Sequence, residues 1–386
     1  MFNTELGLFC HMHENWEELL TQEPYNLKIS EDWPYVMFKY NQLSSDFSNP
    51  IVQEARGIIF RKGEWANPVC WPFTKFGNFG ENYVPEIDWS TAFVSEKIDG
   101  SLIKVWWDWS EGWHISTNGT IDAYKADLGN ALMHEFGTYF YTTVCKYYNT
   151  FDDFVENLDV DLTYMFELVG PYNRVVVPYD EPAIYFLGAR NKYTGEEFNC
   201  SLTVAGELGM GKFKLPRRFV LNTLDSCIRA SEGLGWDREG FVVCDAQFNR
   251  VKIKSPAYVM AHYARNNNVI NRKHLIKVIL DNEVAEFLCY ASDYKEELEK
   301  IQGLMKSFCR VGDQIAKSCQ RLYDVSRGTY ANWVKTLPKI YQDFAFRNYN
   351  NVMSTKDYTA GWNENKWETY LESFEQFKEE LFNGKY

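Results

Sequence analysis

Glu96-Lys97-Ile98-Asp99-Gly100-Ser101 stands between two apolar runs, Phe93-Val94-Ser95 before it and Leu102 to Trp107 after it. Asp-Gly is a turn signal, and the flanking residues read as strands. The stretch therefore reads as strand, tight turn, strand, with Lys97 carried at the mouth of a cleft. The pattern Lys97-x-Asp99-Gly100 alone arises by chance about once in ten chains of this size. Its companions decide what it means.

Upstream, Glu54-Ala55-Arg56-Gly57-Ile58-Ile59-Phe60 places an arginine at the entry to an apolar strand, and Pro72-Phe73-Thr74-Lys75-Phe76-Gly77-Asn78 follows. Downstream, Ser116-Thr117-Asn118-Gly119-Thr120 is a polar turn. Tyr164-Met165-Phe166-Glu167-Leu168-Val169-Gly170 is an apolar strand interrupted by one carboxylate, which is costly to bury without a partner. It runs on through Asn173-Arg174-Val175-Val176-Val177. Arg238-Glu239-Gly240-Phe241-Val242-Val243 puts an acid at the start of another apolar strand. Arg250-Val251-Lys252-Ile253-Lys254-Ser255 sets two lysines on one strand face, because side chains repeat every second residue.

This set of groups suits attack by a lysine on the α-phosphate of a nucleotide. The lysine must give up its proton, which nearby positive charge and partial desolvation favour. Cations must hold the phosphates as pyrophosphate leaves. Carboxylates must hold a divalent metal or the ribose hydroxyls.

With these segments in order, residues about 35 to 256 resemble the nucleotidyltransferase domain of ATP-dependent polynucleotide ligases, and most of all the phage-type RNA ligase 1 family. Lys97-Ile98-Asp99-Gly100 resembles the nucleophile motif, Asn118-Gly119 the polar turn after it, and Phe166-Glu167 with Ala183 to Ala189 the middle motifs. Glu239-Gly240-Phe241-Val242 and Lys252-Ile253-Lys254 resemble the last two. The Ala55-Arg56-Gly57, Lys75-Phe76 and Asn173 to Val177 segments are more particular to the RNA ligase 1 branch.

The resemblance implies an α+β fold: a ligase adenylation domain, ATP-grasp-like, with antiparallel sheets flanked by helices, then an all-α domain. It implies that Lys97 becomes the lysyl-adenylate while Lys252 and Lys254 contact the α-phosphate. Arg56 would hold the outer phosphates, and Lys75, Glu96, Asn118 and Tyr35 would belong to the nucleotide site. Glu167 would contact the ribose or a metal-bound water, and Glu239 would hold the metal. ATP and Mg²⁺ are the implied cofactors, with Mn²⁺ as a substitute. The implied substrate is RNA with 5′-phosphate and 3′-hydroxyl ends, nicked tRNA among them. A monomer in the cytoplasm, as of a phage-infected bacterium, completes that expectation.

The remaining sequence bounds these expectations. The 386 residues are 45% hydrophobic and 24% charged, ordinary for a folded protein of two domains. The 17% aromatic content first of all fills cores. A net charge of −13 excludes a protein that simply coats nucleic acid, so RNA contact requires a local cationic groove. No apolar run is long enough for a bilayer, and Met1 to Glu5 lacks the pattern of a secretory signal. Nine scattered cysteines without a Cys-x-x-Cys pair argue against a disulfide framework or zinc knuckle and for a reducing compartment. His11 and His13 have no third ligand nearby in sequence and read as surface residues.

Residues 1–256 read as the adenylyltransferase domain, with Ile121 to Cys145 as a helical stretch within it. After Ser255-Pro256 strand signals give way to amphipathic segments. One holds Leu275, Val278, Ile279, Val284, Phe287 and Leu288. A second runs from Ile301 to Leu322 and a third from Trp367 to Leu381. Residues 257–386 therefore read as a helical domain, for which the resemblance implies choice of RNA. Arg272-Lys273-His274 with Lys277 forms a short basic cluster there. Two rivals stay open: another covalent nucleotidyltransferase (a DNA ligase or capping guanylyltransferase), and a non-catalytic RNA-binding relative. A small β-barrel in residues 260–386 would mark the first, and loss of the lysine or the acids the second.

Overall fold

A computed structural model of the chain describes residues 2–42, 44–263, 270–281, 283–284, 287–288, 291–322 and 324–382. The chain divides into two units, Met1–His262 and Tyr263–Tyr386.

The first unit contains three antiparallel sheets. β1 (Lys28–Asp32), β2 (Tyr35–Lys39) and β3 (Arg56–Arg61) form a three-stranded sheet in that order. Four strands, β4 (Phe93–Lys97), β10 (Arg218–Phe219), β11 (Gly240–Cys244) and β12 (Arg250–Lys254), form the second, in the order β10-β4-β11-β12. The third contains β5 (Ser101–Asp108), β6 (Gly112–Thr117), β7 (Leu162–Val169), β8 (Ala183–Asn191) and β9 (Glu197–Asn199), ordered β6-β5-β7-β8-β9. The strands read from the sequence are present, except that β7 ends at Val169 and does not run on through Asn173–Val177. β7 lacks polar alternation because nearly all of it is buried.

One face of the five-stranded sheet packs Ile103, Val105, Phe166, Leu168, Ile184 and Phe186 with Tyr139, Phe140 and Val144 of helix Phe136–Val144. In the four-stranded sheet, Val251 and Ile253 join Cys227 of helix Leu224–Glu232 in an apolar cluster. Antiparallel register then leaves the alternate residues of β4 and β12 on the opposite face: Phe93, Ser95 and Lys97, and Arg250, Lys252 and Lys254.

The helix expected from Ile121 to Cys145 is shorter than its apolar spacing suggested. Ala123–Lys125 is a single 3₁₀ turn, and regular helix begins only at Phe136. Between them, the Asp127 carboxylate accepts from the Gly129 N–H, and the Asn130 side chain accepts from the Leu132 N–H. Such local bonds compete with helix, and Gly129 adopts φ +66°.

The second unit is helical, with helices at Arg272–Leu280, Lys295–Arg321, Arg327–Val334, Lys339–Arg347, Thr355–Thr359 and Glu364–Phe382. Phe308 stacks on Tyr341 at 4.9 Å between ring centres and meets Trp367 and Phe374 edge-on. Among its described residues there is no strand, so the β-barrel that would mark a DNA ligase or capping enzyme is not seen there.

Candidate active site

A cavity of about 300 Å³ lies between the four-stranded and five-stranded sheets. One wall is the β4-β11-β12 face, supplying Phe93, Ser95, Lys97, Val242, Cys244, Arg250 and Lys252. The other is the β5-β7-β8 face, with Leu102, Glu167 and Leu187. Leu187 is the extra residue of a β-bulge, since Phe166 pairs with Phe186 and Met165 with Gly188. A bulge re-aims a side chain in this way. Arg56, Phe76 and Asn118 close one end, and Phe73, Glu96, Ile98, Gly100, Asn199, Cys200 and Pro216 line the remainder.

Strand register brings the charged groups together. Gly240 pairs with Lys97 on one side and with Lys254 on the other, while Val242 lies opposite Ser95 and Lys252. Gly240 has φ +138°, and a Cβ on it would fall 2.1 Å from the Ile253 carbonyl oxygen. Only glycine permits that approach. The Lys97 Nζ lies 2.7 Å from the Glu239 carboxylate, with side chains 21% and 6% exposed. Glu167 faces them from β7. Burial pushes its carboxyl up to about 8; Lys97 and Arg56 oppose that rise, and Glu239 and Asp99 add to it. Burial pushes the Lys252 ammonium well below the usual lysine range, and Lys75, Lys97, Lys254 and Arg56 push it further. The Phe76 ring stands beside both Arg56 and Lys252, at 5.2 and 5.0 Å.

Two polar atoms of the wall, Arg56 Nη1 and Asn118 Oδ1, are buried without a hydrogen-bond partner. Buried polar groups are normally satisfied, so both keep a hydrogen bond free at this wall, a donor on Arg56 and an acceptor on Asn118. A divalent cation also fits the donor set. Glu167 is half-buried and Glu239 buried, and the Glu239 charge lies close enough to raise the proton affinity of Glu167, an environment that a bound cation relieves.

Asp99, the acid of the turn after Lys97, points away from the cavity. Its Oδ2 accepts from the Val176 and Val177 N–H groups at 2.9 and 2.7 Å, and its Oδ1 accepts from the Tyr258 hydroxyl at 2.8 Å. It ties the turn to the Asn173–Val177 segment and to the helix after β12. Gly100 lets the turn lie on β7: a Cβ there would sit 2.5 Å from the Leu168 carbonyl oxygen.

Arg56, Glu96, Lys97, Asn118, Glu167 and Lys252, all anticipated from sequence, line the cavity, and Glu239 joins them through Lys97. Three expected positions lie elsewhere. Tyr35 is buried between sheets, edge-on to Trp106, with its hydroxyl 3.3 Å from His114 Nε2. Lys75 does not line the cavity; its ammonium sits over the Tyr40 and Phe47 rings at 5.1 and 5.0 Å. Lys254 also lies off the wall, and it and Lys75 bear on the site through their charge on Lys252. The apolar lining of Phe73, Phe93, Leu187 and Pro216 was not anticipated. It comes from four separate segments with no shared spacing, whereas Asp99 was visible in the motif but not its partner Tyr258.

The model of an RNA ligase family matches residues 54–258. The chain belongs to that family. Every residue of the cavity wall falls inside the RNA ligase match, as does Tyr258; Tyr35 and the helical unit fall outside it. A protein of Autographa californica nuclear polyhedrosis virus, provisionally named a bifunctional polynucleotide kinase/RNA ligase, is 30% identical over 66% of this chain and 37% of its own length. The RNA ligase of Rhodothermus phage RM378 is 28% identical over 74% of this chain and 76% of its own. An archaeal ATP-dependent RNA ligase structure aligns over 77% of each chain with a TM-score of 0.47 and 14% identity. The chain thus spans little more than a third of the viral relative and about three quarters of the phage one.

Proposed function

We propose that the chain is an ATP-dependent RNA ligase that joins a 5′-phosphate to a 3′-hydroxyl through a lysyl-AMP intermediate. The observation that carries this is Lys97 at the cavity wall, held by Glu239 and facing Glu167, with Lys252 two strands away and Arg56 at the closed end.

ATP would enter with its base against Phe73, Phe93, Leu187 and Pro216, and its phosphates toward Arg56, Asn118 and Lys252. Once its ammonium has given a proton to solvent, Lys97 Nζ attacks the α-phosphorus; the N–P bond forms, the bond to the α,β-bridging oxygen breaks, pyrophosphate leaves, and the nitrogen sheds its second proton to solvent. Glu239 accepts a hydrogen bond from Lys97 before attack and keeps the amine aimed. Lys252 carries the charge gathering on the α-phosphate oxygens. An RNA 5′-phosphate oxygen next displaces Lys97 from phosphorus, giving a 5′-5′ adenylate, and a 3′-hydroxyl then displaces AMP. Glu167 and Glu239 are the residues that would hold a divalent cation, Mg²⁺ or Mn²⁺, which supplies charge neutralisation on the phosphates. The helical unit would choose the RNA, with nicked tRNA as one candidate, and the protein would act as a cytoplasmic monomer.

The test is incubation with α-labelled ATP and Mg²⁺, then sealing of a nicked tRNA stem-loop, linear single-stranded RNA and DNA, with wild type and Lys97→Ala. A covalent label absent from Lys97→Ala, followed by RNA sealing, supports the proposal. No Lys97-dependent label removes it.

A further inference from the structure

Lys104 of β5 is completely buried and touches no part of the cavity, yet it lies directly behind the end formed by Arg56 and Asn118. It follows Leu102 by two residues, so its side chain leaves the sheet on the cavity-facing side. Its ammonium donates to the Gly57 carbonyl. Gly57 has φ +79°, and a Cβ there would lie 2.8 Å from both the Lys104 ammonium and the Asn118 carbonyl oxygen, and 3.0 Å from Asn118 Oδ1. Three segments, the start of β3, the middle of β5 and the turn after β6, therefore converge on this one amine.

Among the described residues nothing anionic answers its charge. The ionisable groups that act on Lys104 are Cys70, Arg56 and Lys39, and burial pushes the Cys70 thiol up, keeping it neutral. Lys39 closes in from β2, its ammonium 3.1 Å from where a Cβ on Gly119 would be. Lys39, Arg56 and Lys104 thus surround the Asn118-Gly119 turn. A buried ammonium with one acceptor and no counter-ion is costly, and an apolar side chain would pack there at less expense. The same end of the cavity holds a buried donor without a partner, Arg56 Nη1. Both facts fit a wall built to meet an anion.

We propose that Lys104 is a positioning residue for the outer phosphates of ATP: it clamps the Arg56-Gly57 peptide against the Asn118 turn and adds its positive charge behind them. The proposal rests on the ATP reading above, and it assigns Lys104 to nucleotide loading alone. Sealing of an RNA end that already carries AMP involves no outer phosphates. Burial and the neighbouring cations lower the Lys104 pKa to about 8, consistent with an amine that gains from an anion arriving beside it.

Lys104→Gln keeps a donor for Gly57 and removes the charge; Lys104→Arg keeps the charge. ATP affinity of the full chain is measured by calorimetry, with KM for ATP in Lys97 labelling and the rate of sealing pre-adenylated RNA. The expected result for Lys104→Gln is a weakening of ATP binding and a rise in KM on the order of tenfold, with sealing of pre-adenylated RNA within about twofold of wild type. Lys104→Arg should recover at least part of the affinity. Unchanged ATP affinity in Lys104→Gln overturns the proposal, and so does an equal loss in loading and sealing, which is what a purely structural lysine would give. If wild type binds ATP but does not seal RNA, the RNA reading fails and this one stands. If wild type binds no ATP, both fail.

Discussion

Lys97, the last residue of β4, and Glu239, just before the neighbouring β11, form an ion pair 2.7 Å long, the amine partly open to the cavity and the carboxylate nearly enclosed. The acid is the more confined partner, so it fixes where the amine points.

Glu239→Gln should therefore leave the fold intact while the amine loses its charged anchor. The expected outcome is a fall in Lys97 labelling by ATP on the order of 100-fold, with a melting temperature near that of wild type. Labelling within a few-fold of wild type would show that the pair does not aim the nucleophile.

Glu167 carries a pH signature. Its carboxyl is raised from 4.5 to about 8 by burial, so folding takes up a proton between those values. In that window the unfolded chain binds fewer protons, and this group makes stability fall as pH rises. Urea midpoints from pH 5 to pH 8 should decline less steeply for Glu167→Gln than for wild type. Parallel declines would mean that the folded carboxyl is ionised throughout.

Lys252 is half-buried at the cavity wall and crowded by Lys75, Lys97, Lys254 and Arg56. Replacing it with methionine removes that repulsion and the cost of burying an amine. Lys252→Met should raise the melting temperature of the ligand-free protein and lower covalent labelling by about 100-fold or more. A lower melting temperature would mean that the lysine has stabilising partners in the free protein.

Gly240 stands between Lys97 and Lys254, with β12 backbone closer to its Cα than any Cβ tolerates. Gly240→Ala forces β11 and β12 apart in the row that holds Lys97. The expected loss is at least about 2 kcal/mol in chemical denaturation, with labelling lost as well. Wild-type stability would show that the strands relax without penalty.

Much of this arrangement was legible in the order of residues. Alternation placed Lys252 and Lys254 on one strand face, and the lone acid in the apolar run of β7 marked Glu167 as a group with a task. What failed was direction. Tyr35 lies in a strand whose aromatic residues serve two cores, and the side it faces, toward Trp106 and His114, is set by packing between sheets. Lys75 follows a loop whose path lets the Tyr40 and Phe47 rings capture the amine. Apolar spacing between Ile121 and Cys145 promised a helix that Asp127 and Asn130 interrupt with bonds of their own. The apolar lining of the cavity was silent for a different reason: Phe73, Phe93, Leu187 and Pro216 share a wall without sharing a segment.

The Asp99 clamp has a consequence for where this chain can be shortened. A fragment ending at Ser255 retains every cleft lysine and both acids, yet lacks the hydroxyl of Tyr258 that completes the clamp. A fragment ending at His262 retains it. The charged motifs would set the boundary of the clamped unit three residues too short, because an uncharged side chain braces a turn 159 residues earlier.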